Sequence, residues 1–132
     1  MTATAVSSVS LDPPLILVCV SRASRFHAAI TKASGWCVSF LASDQEAVAR
    51  HFSNRGRDLF SQFDGVPHKV AAASGSPVIG GAVAWLDCTT YAAYDGGDHT
   101  IMVGRVVEAG LPRLSDERGG GRPLTYYQGT YS

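Results

Sequence analysis

GAVAWLDCTTYAAY (81–94) and HTIMVGRVVEAGL (99–111) are two long runs rich in apolar and β-branched residues, separated only by DGGD. Two such runs on either side of a short glycine-rich turn predict an antiparallel hairpin with Gly96 and Gly97 at its tip. His99 stands where the second strand begins. The hairpin explains the glycines, but it does not by itself explain a titratable side chain at this point.

Shorter runs on either side of the hairpin predict further strands. PPLILVCV (13–20) and WCVSFLA (36–42) have the composition of buried strands, and 124–127 predict a short strand near the C-terminus. The alternating segment MTATAVSSVSLDPPL at the start of the chain predicts a strand at a sheet edge. Between 115 and 123 the composition predicts a polar loop.

Two helices are predicted between these strands and the hairpin. SRASRFHAAITKASG (21–35) predicts a helix with Ser24 as its N-cap and Gly35 at its end. SDQEAVARHFSN (43–54) predicts a second helix, capped by Ser43, with Glu46 completing a capping box. Residues 55–66 predict a short helix or an ordered loop. The fold class is therefore mainly β with inserted helices, in the form of a β-barrel.

The bulk composition excludes several classes of function. The 132 residues suit one domain, 1–132, and eleven basic residues cancel eleven acidic ones. This balance gives no electrostatic reason to expect nucleic acid or an anionic membrane as partner. No stretch has the length of a membrane span or the pattern of a secretory signal, so we expect a cytoplasmic protein.

The three cysteines, Cys19, Cys37 and Cys88, each sit in an apolar run. Their spacing matches no zinc pattern and their odd number argues against a disulfide framework. We expect buried free thiols and no metal site. Trp36 and Trp85 also lie in apolar strands and are expected in the core.

SRASR (21–25) combines the groups that bind phosphate at the start of a predicted helix. Ser21, Arg22, Ser24 and Arg25 offer hydroxyls and cations, and a helix N-terminus adds its unpaired N–H groups. The residues alone leave open an ordinary N-cap with solvated arginines. They also leave open a solvent-facing histidine at the hairpin tip.

Five stretches stand in order along the chain: TATAVSSVSLDPPL (2–15), WCVSFLASDQ (36–45), GSPVIGGAVAWLDC (75–88), GGDHTIMVGRVV (96–107) and RPLTYYQGTY (122–131). Together they resemble the flavin reductase family, the FMN-binding split-barrel proteins that serve as reductase components of two-component flavin monooxygenases. The resemblance covers nearly the whole chain. Family members usually carry a further helix and one or two strands before the block that begins here at Met1.

The resemblance implies a split β-barrel, a homodimer, and NAD(P)H-dependent reduction of FMN, with FAD as the alternative flavin. The reduced flavin would be released to a partner monooxygenase. No G-x-G-x-x-G follows a strand, so NAD(P)H is expected to bind transiently over the flavin rather than in a Rossmann site.

The resemblance also assigns roles to individual residues. His99 becomes the candidate catalytic residue and, with Gly97 and Asp98, positions nicotinamide. Candidate flavin contacts are Thr4, Ala5, Val6, Ser8, Val9, Ser10 and Ser39, with Ser21, Arg22, Ser24 and Arg25 around the phosphate.

Three positions depart from the family pattern. Ala5 replaces a common serine, Val6 a common aromatic residue, and Phe26 a small hydroxyl residue. These changes favour the alternative of a non-enzymatic flavin-binding or electron-transfer protein on the same fold. An inactive remnant with exposed strand edges is the third interpretation.

Overall fold

The computed structural model describes residues 1–111 and 121–132. Two helices occur in this part of the chain, α1 (Arg25–Lys32) and α2 (Glu46–Ser53). The strands are β1 (Val6–Leu11), β2 (Pro14–Ser21), β3 (Gly35–Phe40), β4 (His68–Val70), β5 (Pro77–Ile79), β6 (Ala84–Gly96), β7 (His99–Gly110), β8 (Tyr126–Tyr127) and β9 (Thr130–Tyr131).

The main sheet has five strands in the order β1-β2-β7-β6-β3, and every neighbouring pair is antiparallel. The predicted class, mainly β with helices inserted among the early strands, is confirmed. Within residues 1–111 and 121–132 the predicted barrel is an open sheet and not a closed one, because its edge strands β1 and β3 do not pair with each other. The prediction that the N-terminal segment forms an edge strand is also confirmed.

The hairpin of β6 and β7 is confirmed, but its tip lies one residue later than predicted. Gly96 pairs with His99 inside the ladder, so the turn consists of Gly97 and Asp98. Gly97 has a φ of 74°. A positive φ at the first residue of a two-residue turn matches the twist of the flanking strands and favours glycine there.

The main core lies between one face of this sheet and α1. It contains the buried side chains of Ile16, Val18, Val20, Ile30, Trp36, Cys88 and Met102. Gly104 makes room for Trp36, because a Cβ at position 104 would lie 2.6 Å from Cζ2 of the indole. Trp85 is buried in a second, smaller cluster with Ala71 and Val78, so both tryptophans are core residues as predicted.

The cysteines only partly match the prediction of buried thiols. All three are free; Cys88 is buried, whereas Cys19 and Cys37 are half-buried. Burial raises the pKa of Cys37 to about 11 and that of Cys88 to about 12. Both thiols therefore stay protonated at neutral pH.

The end of α1 differs from the sequence prediction. The helix ends at Lys32 with Ala33 as its C-cap, two residues before Gly35. Gly35 is instead buried at the start of β3, where a Cβ would lie 2.7 Å from the Cys88 carbonyl oxygen. The position requires glycine for this close backbone approach and not for helix termination.

The predicted capping box of α2 is wrong. The helix begins at Glu46 with Gln45 as N-cap, and Glu46 pairs with Arg50 through a 2.6 Å contact. The Ser43 N–H donates to the Arg122 carbonyl oxygen (2.9 Å), which ties this turn to the C-terminal segment. Ser43 therefore lies in a turn before the helix and does not cap it.

The remaining segments follow the predictions in part. Residues 55–66 form an ordered loop without a helix. The predicted C-terminal strand appears as the two-residue β8, paired with β9. Most of the loop predicted over 115–123 lies outside the described residues. No helix in the described ranges is long and apolar enough to cross a membrane.

Candidate functional site

Three segments meet at one end of the main sheet. The Cys19 N–H donates to the Ala5 carbonyl oxygen (3.0 Å), which places the start of β1 beside the end of β2. On the other side of β2, Ser21 lies directly opposite His99 of β7. The register thus brings the predicted phosphate loop and the predicted nicotinamide residue together.

Alternation along the strands determines which side chains share a face. Val18, Val20 and Met102 point into the main core, so Cys19 and Ser21 lie on the opposite face with Ile101 and His99. We call this side of the sheet the His99 face. Its side chains are half-buried, so they remain accessible to a ligand or another chain.

His99 is oriented by its neighbour Asp98. The His99 Nδ1–H donates to the Asp98 carboxylate across 2.7 Å, and 43% of the His99 side chain is exposed. This hydrogen bond, followed by the charge of the imidazole, lowers the pKa of Asp98. With Nδ1 engaged, Nε2 has no partner among the described residues and is the ring atom that can meet a ligand.

Arg22 lies against the hairpin tip. Its guanidinium Nη2 contacts Asp95 Oδ1 at 2.7 Å, its Nε–H donates to the Gly97 carbonyl oxygen at 2.9 Å, and its backbone N–H donates to the Asp98 carbonyl oxygen at 2.9 Å. The loop after β2 and the turn before β7 therefore form one connected unit.

The rest of the predicted phosphate loop lies at the N-terminus of α1. Ser24 is the N-cap as predicted, but its side chain makes no capping hydrogen bond, and its buried Oγ has no hydrogen-bond partner within residues 1–111 and 121–132. Arg25 donates to the Arg57 carbonyl oxygen (3.1 Å). Burial and the nearby charge of Arg25 lower the pKa of Arg57, so two cations lie close together here.

The His99 face is suited to a flat aromatic ring. The side chains of Ala5, Cys19 and Ser21 are small, and Gly96 opposite His99 has none. Because β1 is an edge strand, part of its backbone N–H and C=O groups are not paired by the sheet and can bond the edge of a ring. The residues present therefore fit an isoalloxazine with its phosphate toward the loop that joins β2 to α1.

Other predicted flavin contacts lie elsewhere. Thr4, Val6 and Ser39 line a cavity of about 750 Å³ between the two sheet edges, where the Ser39 Oγ accepts the Ile79 N–H at 3.1 Å. Ser8 lies opposite Ile16 and Ser10 opposite Leu15, with Val9 in the bulge between them, further along β1 from His99. The structure does not bring these three residues to the His99 face near the tip.

Two residues of this region were not singled out from the sequence. Asp95 belongs to the DGGD segment at the hairpin tip, and His27 lies on α1. His27 is half-buried, and its Nε2 lies 2.8 Å from Oγ1 of the buried Thr100, next to His99. Among the described residues no three His, Cys, Asp or Glu side chains form a metal-binding group.

The family model described as "Flavin reductase like domain" matches residues 1–132. The chain is 44% identical over 110 residues to the NADH-dependent FAD reductase of Streptomyces globisporus, covering 83% of this chain and 60% of that protein. It is 36% identical over 126 residues to HsaB of Rhodococcus jostii, the reductase subunit of a flavin-dependent monooxygenase, covering 96% and 60%. The chain thus spans about 60% of the length of these curated relatives.

Solved structures agree with this relationship. The Streptomyces globisporus NADH:FAD oxidoreductase SgcE6, in complex with NAD and FAD fragments, matches with a TM-score of 0.87 and 38% identity, covering 98% of this chain and 73% of that one. BorF, the flavin reductase component of a bacterial two-component tryptophan halogenase, matches with a TM-score of 0.85 and 41% identity, covering 98% and 78%. The chain belongs to the flavin reductase family.

Proposed function

We propose that this chain catalyses NAD(P)H-dependent reduction of flavin, FMN or FAD, and supplies the reduced flavin to a partner monooxygenase. The observation that carries this proposal is the register of β2 and β7, which sets Ser21 of the phosphate loop opposite His99 on one face. The names of the related reductases support it.

The flavin ring is proposed to lie on the small side chains of the His99 face, with the backbone of Thr4, Ala5 and Val6 along its edge. Its phosphate is proposed to meet Ser21, Ser24 and Arg25 at the N-terminus of α1. The guanidinium of Arg22 is already bound to Asp95 and Gly97, so it is not counted among these groups. When bound, the flavin supplies the hydride acceptor.

His99 is proposed to orient the nicotinamide. Asp98 holds Nδ1, so that Nε2 is presented to the ligand in a fixed direction. Gly97 carries no side chain and allows close approach at the turn. Stacking of the nicotinamide on the flavin ring at this face would exclude water between the two rings. The chain contributes the orientation of the rings and forms no covalent bond to either of them.

Assembly and location are also proposed. We infer a homodimer, because Val9 and Leu11 on the edge strand β1 are 49% and 94% exposed and large apolar side chains of this kind favour association. We infer a cytoplasmic location, because the described cysteines are all free thiols.

The test is the oxidation of NADH and of NADPH by the full chain, with and without FMN or FAD, compared with His99→Ala. We expect flavin-dependent oxidation that falls at least tenfold in the variant, since a positioning group lost from a near-attack geometry costs on the order of that factor or more. His68→Ala, at an exposed histidine on β4, is the matched control and should retain activity.

The other outcomes contradict the proposal in different ways. Flavin binding without oxidation of either nucleotide would indicate a non-enzymatic flavin-binding protein. Equal losses in the His99 and His68 variants would show that His99 has no special role. Oxidation that does not depend on added flavin would contradict release of the flavin to a partner.

A further inference from the structure

The hairpin tip that carries His99 has little packing of its own. Apart from its two chain neighbours, no atom of the described residues would lie within 4 Å of a Cβ added at Gly97, and the Asp95 and Asp98 side chains are 81% and 94% exposed. A turn without packing contacts does not fix the direction of an adjacent side chain. Its conformation has to come from hydrogen bonds.

Arg22 and Asp95 supply those hydrogen bonds. Arg22 binds Asp95, Gly97 and Asp98 through its guanidinium and its backbone N–H, at 2.7 to 2.9 Å. Asp95 Oδ1 also accepts the Gly97 N–H at 3.3 Å. One carboxylate oxygen thus joins the arginine to the turn backbone immediately before the Asp98–His99 pair.

The same contacts occupy Arg22. Its charge is matched by Asp95, and its Nε–H is used by a backbone carbonyl oxygen. A phosphate that approached the remaining guanidinium N–H groups would compete with Asp95 for the charge of this side chain. The Arg25 side chain donates to the Arg57 carbonyl oxygen and makes no contact that holds the hairpin tip, so a phosphate at the N-terminus of α1 would leave the tip unchanged.

We propose that Arg22 and Asp95 are positioning residues: their ion pair fixes the turn at Gly97 and thereby the direction in which His99 meets the nicotinamide. This inference rests on the proposed function. It assigns Arg22 to orientation of the catalytic residue and not to the flavin phosphate.

The experiment measures kcat and KM for NAD(P)H oxidation by the full chain with FMN and with riboflavin, which lacks the phosphate. Asp95→Asn and Arg22→Ala should each lower kcat about tenfold with either flavin, because displacement by about 1 Å is costly in an oriented reaction. The KM for each flavin should stay within about twofold. The double variant should be no slower than either single one, since both act through one contact.

Two further variants separate positioning from general damage. Arg22→Lys keeps a cation opposite Asp95 but loses the Nε–H bond to Gly97, and it should recover part of kcat. Glu46→Gln breaks the exposed pair with Arg50 on α2 and should leave all parameters unchanged.

A specific result would overturn the proposal. If Arg22→Ala raises the KM for FMN but not for riboflavin and leaves kcat intact, Arg22 is a phosphate ligand. Additive losses in the double variant would also overturn it, because the two residues would then act separately.

Failure of the proposed function would be recognised separately, because the wild-type chain would then oxidise neither NADH nor NADPH with any of the flavins. The ring ¹H–¹⁵N signals of His99 then decide the inference. Asp95→Asn should move these signals while Glu46→Gln does not. Unchanged His99 signals in Asp95→Asn would contradict the positioning role.

Discussion

Asp98 and His99 form an exposed pair that orients the imidazole ring of His99. Exposed ion pairs contribute little to the stability of a fold. The 2.7 Å hydrogen bond nevertheless determines which nitrogen of the imidazole is engaged and which is free. The pair therefore determines which imidazole nitrogen can contact a ligand, and it contributes little to the stability of the fold.

The effect of His99 on Asp98 can be measured directly. The Asp98 pKa lies below its ordinary value of 3.8, first because of the hydrogen bond from His99 and then because of the imidazole charge. The ionised carboxylate is the favoured form in the folded state, so the interaction is fully present above about pH 3.8 and is lost as the pH falls through the lowered pKa. In His99→Ala, the Asp98 side-chain ¹³C titration should move up toward 3.8.

His68→Ala is the control for this titration and should leave the Asp98 curve in place. A low Asp98 pKa that persists in His99→Ala would mean that another group lowers it. Because Asp98 stays ionised well below neutrality, any activity change between pH 5 and 8 must come from a different group.

At the same scale, the sequence predicts the chemical groups but not all of their partners. His99 beside a glycine turn and the hydroxyls and cations of SRASR are recognisable from residue type and spacing. The Arg22–Asp95 contact joins residues 73 positions apart. It depends on the register that sets Ser21 opposite His99, which local patterns do not determine.

Among the elements, the connection between β4 and β5 depends on one buried carboxylate of β6. Asp87 is fully buried, and its Oδ2 accepts the backbone N–H groups of Ala73 (2.9 Å) and Ser74 (3.3 Å). Its Oδ1 is buried and finds no hydrogen-bond partner in the part of the chain that the structure describes. The loop is thereby fixed against the sheet beside the second hydrophobic cluster.

We expect Asp87→Asn to lower the free energy of unfolding by about 1–3 kcal/mol, since a side-chain amide can turn a donor toward the two N–H groups and leave them unsatisfied. Glu108→Gln, at the exposed residue opposite Asp87 on β7, is the matched control and should change stability by less than about 0.5 kcal/mol. Urea unfolding measures both. Equal losses of stability in Asp87→Asn and Glu108→Gln would show that the buried position of the Asp87 carboxylate does not matter for stability.

The boundaries of elements show why local prediction works only in part. The β6–β7 hairpin follows from composition and turn residues alone, and both helices are found where their patterns lie. Local patterns favour Gly35 and Ser43 as helix signals. In the fold, Gly35 lies too close to the Cys88 carbonyl oxygen to carry a Cβ, and the Ser43 N–H donates to Arg122, which is distant in the chain. Such tertiary contacts override local capping preferences.

At the scale of the whole molecule, the unpaired edges of the open sheet favour association of one copy of the chain with another. β1 and β3 each leave one edge of their backbone unpaired by the sheet, and a bulge between Ser8 and Ser10 leaves the half-exposed Val9 on the β1 edge. Edge strands with exposed apolar side chains tend to pair with a strand of another chain. The mainly β class and the edge position of β1 were predictable, whereas the separation of the two edges depends on how the entire sheet curves.

We therefore expect Val9→Lys to weaken self-association, because a desolvated charge on the edge opposes strand pairing between two copies. Val107→Lys is the matched control: Val107 lies on the interior strand β7 and is 47% exposed, compared with 49% for Val9. Sedimentation velocity at several protein concentrations measures the effect, and urea unfolding checks that both variants stay within about 0.5 kcal/mol of the wild type. A protein that is monomeric at every concentration, or equal effects of the two substitutions, would show that the β1 edge is not the surface through which copies associate.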